Sequence, residues 1–233
     1  MKLFYIPEVS GDLITPNAAE SKHMIKVLRL NQGDRVQVVD GKGGFYEAEI
    51  INANPKKCVL SVIHTQREFG KRNYRLHIAI APTKNTDRFE WFLEKSTELG
   101  IDEITPVLCD HSERKVIKPE RLTKIMISAM KQSIKAYLPK LNPLIPFSIL
   151  ADSAAEKNKY IAHCTDGDKP HLKDISGANQ DALIMIGPEG DFSPEEIAQA
   201  KNKGFAEVTL GKSRLRTETA GVAACHIINL ANE

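Results

Sequence analysis

The pattern of hydrophobic and polar positions changes its period once along the chain, near residue 70. Before that point, short β-branched runs at 36–39, 45–50 and 58–63 are separated by turn-forming stretches at 40–44 and 52–57. Runs of this length bounded by Gly, Asn and Pro predict a meander or a small barrel. A short helix precedes them, opened by Asn17 with Glu20 three residues later as a capping pair. On that helix Lys22, Lys26 and Arg29 recur at spacings of four and three, which puts them on one face, with Met24, Val27 and Leu28 as the buried side. The polar stretch 66–73 reads as a linker.

Beyond it strands and helices alternate. Residues 76–81 form an apolar run closed by Pro82. Residues 87–99 carry Phe89, Phe92, Ser96 and Leu99 at helical spacing up to Gly100, and 104–109 return as a strand. Pro119 suits the first turn of a long helix whose stripe is Leu122, Ile125, Met126, Ala129, Met130 and Ile134. The runs 160–164 and 182–186 are apolar without alternation, as in strands buried on both faces of a parallel sheet. The pattern therefore predicts a β-rich module over 1–70 and an α/β unit over 74–233.

Composition narrows the class. With 42% hydrophobic and 27% charged residues the chain can bury a core, and no apolar run approaches the ~18 residues of a membrane span. The expectation is a soluble, cytoplasmic protein. Four cysteines, Cys58, Cys109, Cys164 and Cys225, lie far apart with no C-x-x-C pair, so buried thiols are expected rather than a metal site or a disulfide framework. The net charge of +2 hides a split: residues 1–140 carry 23 basic against 17 acidic side chains, and 141–233 carry 9 against 13. The surplus concentrates in 111–140, where 8 basic residues face only Glu113 and Glu120. Such a segment is either a polyanion-binding face or a solvated helix surface.

Candidate chemistry gathers near the C-terminus. In 186–196 (I-G-P-E-G-D-F-S-P-E-E) a buried strand ends in a glycine-flanked loop; Ser193, Pro194 and Glu196 then predict a capped helix that ends before Gly204. A strand at 208–210 leads into a second loop, 210–221 (L-G-K-S-R-L-R-T-E-T-A-G), and a helix from Thr217, capped by Thr217 or a neighbour. Glycines at the carboxyl ends of parallel strands admit a ligand close to the backbone, where α/β sheets keep their sites. Neither loop is a P-loop or a G-x-G-x-x-G turn. Each alone is equally a tight turn, and Arg214 and Arg216 beside Glu218 are equally a surface ion-pair cluster. Two such loops on one sheet edge favour a ligand site. Apolar on most sides, the last helix calls for more than one neighbour, a second subunit among the candidates.

These two loops, with His23-Met24-Ile25-Lys26-Val27-Leu28-Arg29, Gly33-Asp34 and Lys95-Ser96-Thr97-Glu98-Leu99-Gly100 in the same order, resemble the RsmE family. Its members are bacterial 16S ribosomal RNA (uracil-N3) methyltransferases of the SPOUT superfamily, and the resemblance covers most of the chain. It implies an α/β fold: a SPOUT-type parallel-sheet methyltransferase domain over 74–233, knotted over about 160–233, behind a PUA-like barrel over 1–70. It implies S-adenosylmethionine (SAM) as cofactor, bound by loops at Cys164, at Ile186, Gly187, Pro188, Glu189 and Gly190, and at Leu210, Gly211, Leu215 and Ala220. Arg216 and Glu218 become the catalytic candidates, Glu218 either orienting Arg216, receiving a proton or complementing the helix dipole. RNA contacts fall on Lys22, His23, Lys26, Arg29, Arg114, Lys115, Arg121, Lys124, Lys131 and Lys135. The implied partners are ribosomal RNA within the 30S subunit and a second copy in a homodimer, with no membrane and no metal. Two departures stand out: many members carry an Arg after the E-Q-S of the long helix, where this chain has Lys135 nearby but no Arg, and the N-terminus lacks the Arg common there. Arg and Lys are not equivalent toward phosphate. The rival readings are a SPOUT enzyme acting on another ribosomal or transfer RNA base, and a non-catalytic RNA-binding assembly factor.

Overall fold

The computed structural model describes residues 2–233. It divides into two units: residues up to Lys71 together with Met130–Leu138, and Arg72–Ala129 together with Pro139–Glu233. In the first unit β1 (Leu3–Tyr5), β2 (Leu13–Ile14), β3 (Arg35–Val39), β4 (Phe45–Asn52) and β5 (Val59–Gln66) pair in the order β1-β3-β4-β5-β2. The sheet curls into a half-barrel. Its inward side chains follow the period of two, with Val36 and Val38 in β3 and Ala48 and Ile50 in β4 buried around Phe4, Met24 and Leu60. The stretch expected as a linker is not free of structure. β5 runs to Gln66, Arg67 donates to the Tyr46 hydroxyl at 2.8 Å, and Phe69 stacks on Phe45 at 4.5 Å.

Helix α1 (Ala18–Lys22) starts as the sequence indicates, with Asn17 Oδ1 accepting from the Glu20 N–H at 2.9 Å. The chain then widens into a π-helical turn over His23–Val27, and Arg29 takes a left-handed φ of 54°. This corrects the assignment of Val27 to the core. A wider turn shifts each later side chain around the axis, so Met24 stays buried and Leu28 half-buried while Val27 is 63% exposed. Lys22, His23, Lys26 and Arg29 are all exposed.

The second unit holds β6 (Leu76–Ile80), α2 (Thr86–Leu99), β7 (Glu103–Leu108), most of α3 (Pro119–Gln132), β8 (Lys140–Leu141), β9 (Ile145–Pro146), α4 (Phe147–Ser153), β10 (Asn158–Ala162), α5 (Leu172–Ile175), β11 (Ala182–Ile186), α6 (Pro194–Asn202), β12 (Ala206–Val208) and α7 (Thr217–Leu230). Its sheet runs β12-β10-β11-β6-β7-β8 with β9 also on β7, and every pairing is parallel. β6 and β11 are buried at all five positions, the two-sided burial that their unalternating sequences predict.

Helices α2 and α7 lie side by side on one face. A Cβ on Gly221 would meet the Phe92 ring at 2.6 Å, and at the other end Asn229 Nδ2 donates to the Gly100 carbonyl at 2.9 Å. The two helices therefore run the same way, and both begin at the sheet edge where β6 and β11 end. Phe92 is fully buried, and truncating such a side chain to Ala costs ~3–5 kcal/mol.

Several sequence assignments shift. Leu99 is only half-buried. Ile134 lies beyond the end of α3, with φ 55° and 41% exposure. The strand expected over 208–210 is already ending at Val208, which frees Leu210 from the ladder. His226 in the otherwise apolar last helix is exposed, because the buried face of α7 is Thr217, Glu218, Gly221, Ala224, Cys225, Ile228 and Asn229. Cys164, grouped with the buried thiols, is exposed while the other three are buried.

Candidate functional site

Three loops leave the carboxyl ends of adjacent strands: 163–169 after β10, 187–193 after β11 and 209–216 after β12. Together they surround a cavity of about 990 Å³, at the upper end of the range for small-molecule sites. Of the candidates taken from the sequence, Cys164 lines it from the first loop, and Ile186, Gly187, Pro188 and Glu189 from the second. Leu210, Gly211, Leu215, Arg216 and Ala220 line it from the third. Gly190 and Glu218 are not among the lining residues. Asp191, within the 186–196 motif, lines it too, as do Thr165–Lys169 and His171, which no motif marked.

The glycines have different reasons. A Cβ at Gly190 would lie 2.9 Å from the His111 Cβ, and one at Gly187 would lie 3.1 Å from the Phe192 ring. Both are fixed by protein packing rather than by ligand approach. Gly211 has φ 134° and nothing within 4 Å of a built Cβ, so its constraint is the backbone turn.

Asp191, itself at a left-handed φ of 63°, ties two loops together. Its Oδ2 accepts from the Cys164 N–H at 2.7 Å and its Oδ1 from its neighbour Phe192 N–H at 2.9 Å. The next turn is the capping box: Ser193 Oγ accepts from the Glu196 N–H at 3.2 Å, and a Glu196 oxygen accepts from the Ser193 N–H at 2.9 Å. Burial pushes the Glu196 carboxyl up, against the N–H groups of Ser193 and Asp110 that favour its charge.

The first loop is held from inside. His163 has a side chain only 2% exposed, with Nε2 3.1 Å from Glu207 Oε1. Lys169 Nζ donates to the carbonyls of His163 and Thr165 at 2.8 and 2.5 Å and lies 3.3 Å from His163 Nδ1. Burial, and then the Lys169 charge, hold the His163 pKa below the usual imidazole value despite Glu207 and Asp191.

Arg216 is the N-cap residue of α7, exposed and giving no side-chain cap. The sequence left this place to Thr217 or a neighbour, and the neighbour Arg216 takes it. Glu218 faces the other way. It is 6% exposed, its Oε1 lies 3.8 Å from Arg88 Nε, and its Oε2 is buried without a hydrogen-bond partner. Among the described residues no ion pair joins it to Arg216 or Arg214, which corrects the clustering expected from their adjacency. Residues i and i+2 do not share a helix face.

The basic candidates also sort themselves. Arg114 is spent on the carbonyls of Thr83 and Lys84, at 3.0 and 2.5 Å, and Arg121 is paired through two nitrogens with Glu90 at 2.5 and 2.9 Å. Lys115 and Lys124 are exposed. Lys131 and Lys135, both half-buried, belong to the segment that joins the N-terminal unit. Among the described residues no group of three or more His, Cys, Asp or Glu could hold a metal ion, and no helix is long and apolar enough to cross a membrane.

The cavity fits a nucleoside cofactor. Half-buried Leu210 and Leu215 offer apolar surface, and among the described residues their backbone groups bond to no other backbone group. A parallel sheet with such a cavity at its strand ends suits a small-molecule enzyme, and the class is that of RNA methyltransferases. Models of an RNA methyltransferase domain and an RNA methyltransferase PUA domain match residues 70–229 and 16–63. Ribosomal RNA small subunit methyltransferase E of Synechocystis is 32% identical over 226 residues, 93% of this chain and 72% of that protein. Its counterpart in Mesomycoplasma hyopneumoniae is 30% identical, over 85% of this chain and 86% of that one. A probable rRNA methyltransferase from Porphyromonas gingivalis superposes with a TM-score of 0.92 at 43% identity, covering 100% and 98% of the two chains. The small subunit methyltransferase E of Neisseria gonorrhoeae bound to SAM gives 0.88 at 29%, over 100% and 98%. The chain belongs to the ribosomal RNA small subunit methyltransferase E (RsmE) family.

Proposed function

We propose that this protein transfers a methyl group from SAM to N3 of one uridine in 16S ribosomal RNA. The observation that carries the reading is the cavity of about 990 Å³ walled by three strand-end loops, in a family with a SAM-bound member. SAM bound there supplies a methyl group on a positively charged sulfur. Cys164, Ile186 to Gly190, Leu210, Gly211, Leu215 and Ala220 form or support the walls that would hold it. A uracil N3 is a poor nucleophile until its proton leaves, so placement and charge stabilisation are what the chain must provide. Arg216, exposed on the cavity at the start of α7, is the residue we assign to the negative charge that develops on the uracil carbonyl oxygens. The α7 N-terminus adds a favourable dipole. Glu218, buried against Arg88 and away from the cavity lining, positions the start of α7 and does not take the proton.

The N-terminal module and Lys131 and Lys135 belong to the same proposal as the RNA-gripping part, with exposed Lys22, His23, Lys26 and Arg29 meeting phosphates. Ribosomal RNA within the 30S subunit as substrate places the protein in the cytoplasm. A homodimer is included as well, covering the outer face of α7 where Leu230 is 58% exposed beside half-buried Ile227. A monomer mass by light scattering at micromolar concentration would remove that part.

Mass spectrometry of small-subunit RNA from a strain lacking this protein tests the main reading. Loss of a single N3-methyluridine, restored by adding protein and SAM, is the expected outcome. A modification lost from transfer RNA instead supports another SPOUT specificity. No calorimetric SAM binding supports a non-catalytic assembly factor.

A further inference from the structure

Residues 165–168 are exposed and line the cavity, yet among the described residues no backbone hydrogen bond ties them to the rest of the domain. At its far end this loop is anchored by backbone bonds, Thr209 N–H to the Pro170 carbonyl and Leu172 N–H to the Thr209 carbonyl, both at 3.0 Å. Between those anchors and β10 its course is set by side chains. Asp191 takes the Cys164 N–H from outside the loop. Lys169 works from within, reaching back across four and six residues to the carbonyls of Thr165 and His163.

An ammonium has three donors. Two go to those carbonyls, and the third has one acceptor within reach, His163 Nδ1 at 3.3 Å. An Nδ1 that accepts carries no proton, so the ring is neutral and Nε2–H donates to Glu207 Oε1 at 3.1 Å. Glu207 is in turn held by Lys201 at 2.6 Å. The charged groups facing the imidazole are therefore Lys169 on its own loop, Glu207 on β12 and Asp191 on the loop after β11. Protonating His163 would set two donors against each other and remove one of the three bonds that close the loop.

We infer that Lys169, latched on neutral His163, is a positioning residue that holds the 164–168 wall in place for the cofactor. The inference rests on the reading of this cavity as the SAM site. It assigns to Lys169 no contact with the reacting atoms: all three of its donors are spent on the loop. The consequence is selective. Loosening the latch weakens SAM binding because the wall must then be ordered at the cost of binding. It leaves RNA affinity and the rate at saturating SAM alone.

Calorimetry with SAM on the full-length protein, unsubstituted and as Lys169→Met, reads this directly. Lys169→Met keeps the aliphatic stem and removes the donors. We expect SAM affinity to fall about tenfold or more, from the loss of charge-assisted hydrogen bonds, with kcat at saturating SAM and RNA affinity within about twofold. Affinity equal to the unsubstituted protein overturns the inference, and so does a fall in kcat with KM unchanged. A second variant, His163→Asn, preserves an acceptor near the Nδ1 position but cannot titrate. The unsubstituted protein should lose SAM affinity as pH falls through the depressed His163 value, below the usual imidazole range, and His163→Asn should lose much less over the same range. Identical pH profiles would overturn the latch even if Lys169→Met fails to fold. Absence of SAM binding by the unsubstituted protein refutes instead the cofactor reading on which the inference stands.

Discussion

Asp191 is the side chain whose removal gives the most informative perturbation. It does two separable things: its carboxylate accepts from the Cys164 and Phe192 N–H groups at 2.7 and 2.9 Å, and its backbone sits at φ 63°. Hydrogen bonds to a charged acceptor contribute ~1.5–3 kcal/mol each, and half-exposure puts these at the low end, about 3 kcal/mol for the pair. The left-handed conformation costs an ordinary L-residue a further ~1 kcal/mol, which Asp and Asn offset locally and Gly does not incur. Asp191→Ala should therefore destabilise by about 4 kcal/mol and Asp191→Gly by about 3 kcal/mol. Asp191→Asn falls between them and the unsubstituted protein, since an amide oxygen can serve one N–H while its NH₂ opposes the other. Urea unfolding at constant slope measures the series. SAM calorimetry on the same variants should follow the hydrogen bonds and not the backbone conformation, with Ala and Gly equally impaired. If Gly is no more stable than Ala, the backbone argument is wrong. If Ala lies within about 0.5 kcal/mol of the unsubstituted protein, the hydrogen-bond argument is wrong.

Three further outcomes follow from the geometry. Arg216→Ala should keep the fold and SAM affinity, because its side chain is exposed and caps nothing, but lose methyl transfer by ~10²-fold or more in single-turnover assays. Replacing Lys22, Lys26 and Arg29 together should reduce the slope of log K against log salt for RNA by about 2–3, whereas Arg121→Ala should change it by less than about 1 because that guanidinium is already paired with Glu90. Burial alone would raise the Glu103 carboxyl, but Asn142, Lys140, His77 and Arg75 together hold it below the usual range. Its contribution to stability is thus present above the unfolded pKa near 4.5 and lost as pH falls through the depressed folded value, and unfolding experiments on Glu103→Gln should show that part of the acid sensitivity missing.

What could be seen in the sequence was what local physics decides. The run 182–186 has no polar alternation and is buried at every position, and both halves of the Ser193–Glu196 box form as the spacing requires. Elements of two or three residues escaped: β1, β2, β8 and β9 exist only because a distant strand pairs with them. The π-helical turn after Lys22 escaped for a similar reason. Its widening is not encoded in any one residue type, and a period of 3.6 carried through 23–29 necessarily placed Val27 inside. Ile134 joined the α3 stripe by periodicity, yet the helix had already ended at Gln132.

The site shows the same division at the level of charge. Arg216 and Glu218, two residues apart, suggested a pair; the start of a helix sends position 216 out to the cavity and position 218 in against α2, where Arg88 meets it. That separation leaves an arginine uncommitted beside the cavity and places the carboxylate where it cannot neutralise it. The His163–Lys169–Glu207 arrangement reverses the lesson. His163 and Glu207 are 44 residues apart and meet only because β10 lies next to β12. No motif spans such a distance, so the polar core of the loop after β10 had to be found in space. The glycines marked where the second and third cavity loops lie; the residues that give the first loop its shape carry no such mark, because their partners are chosen by strand order.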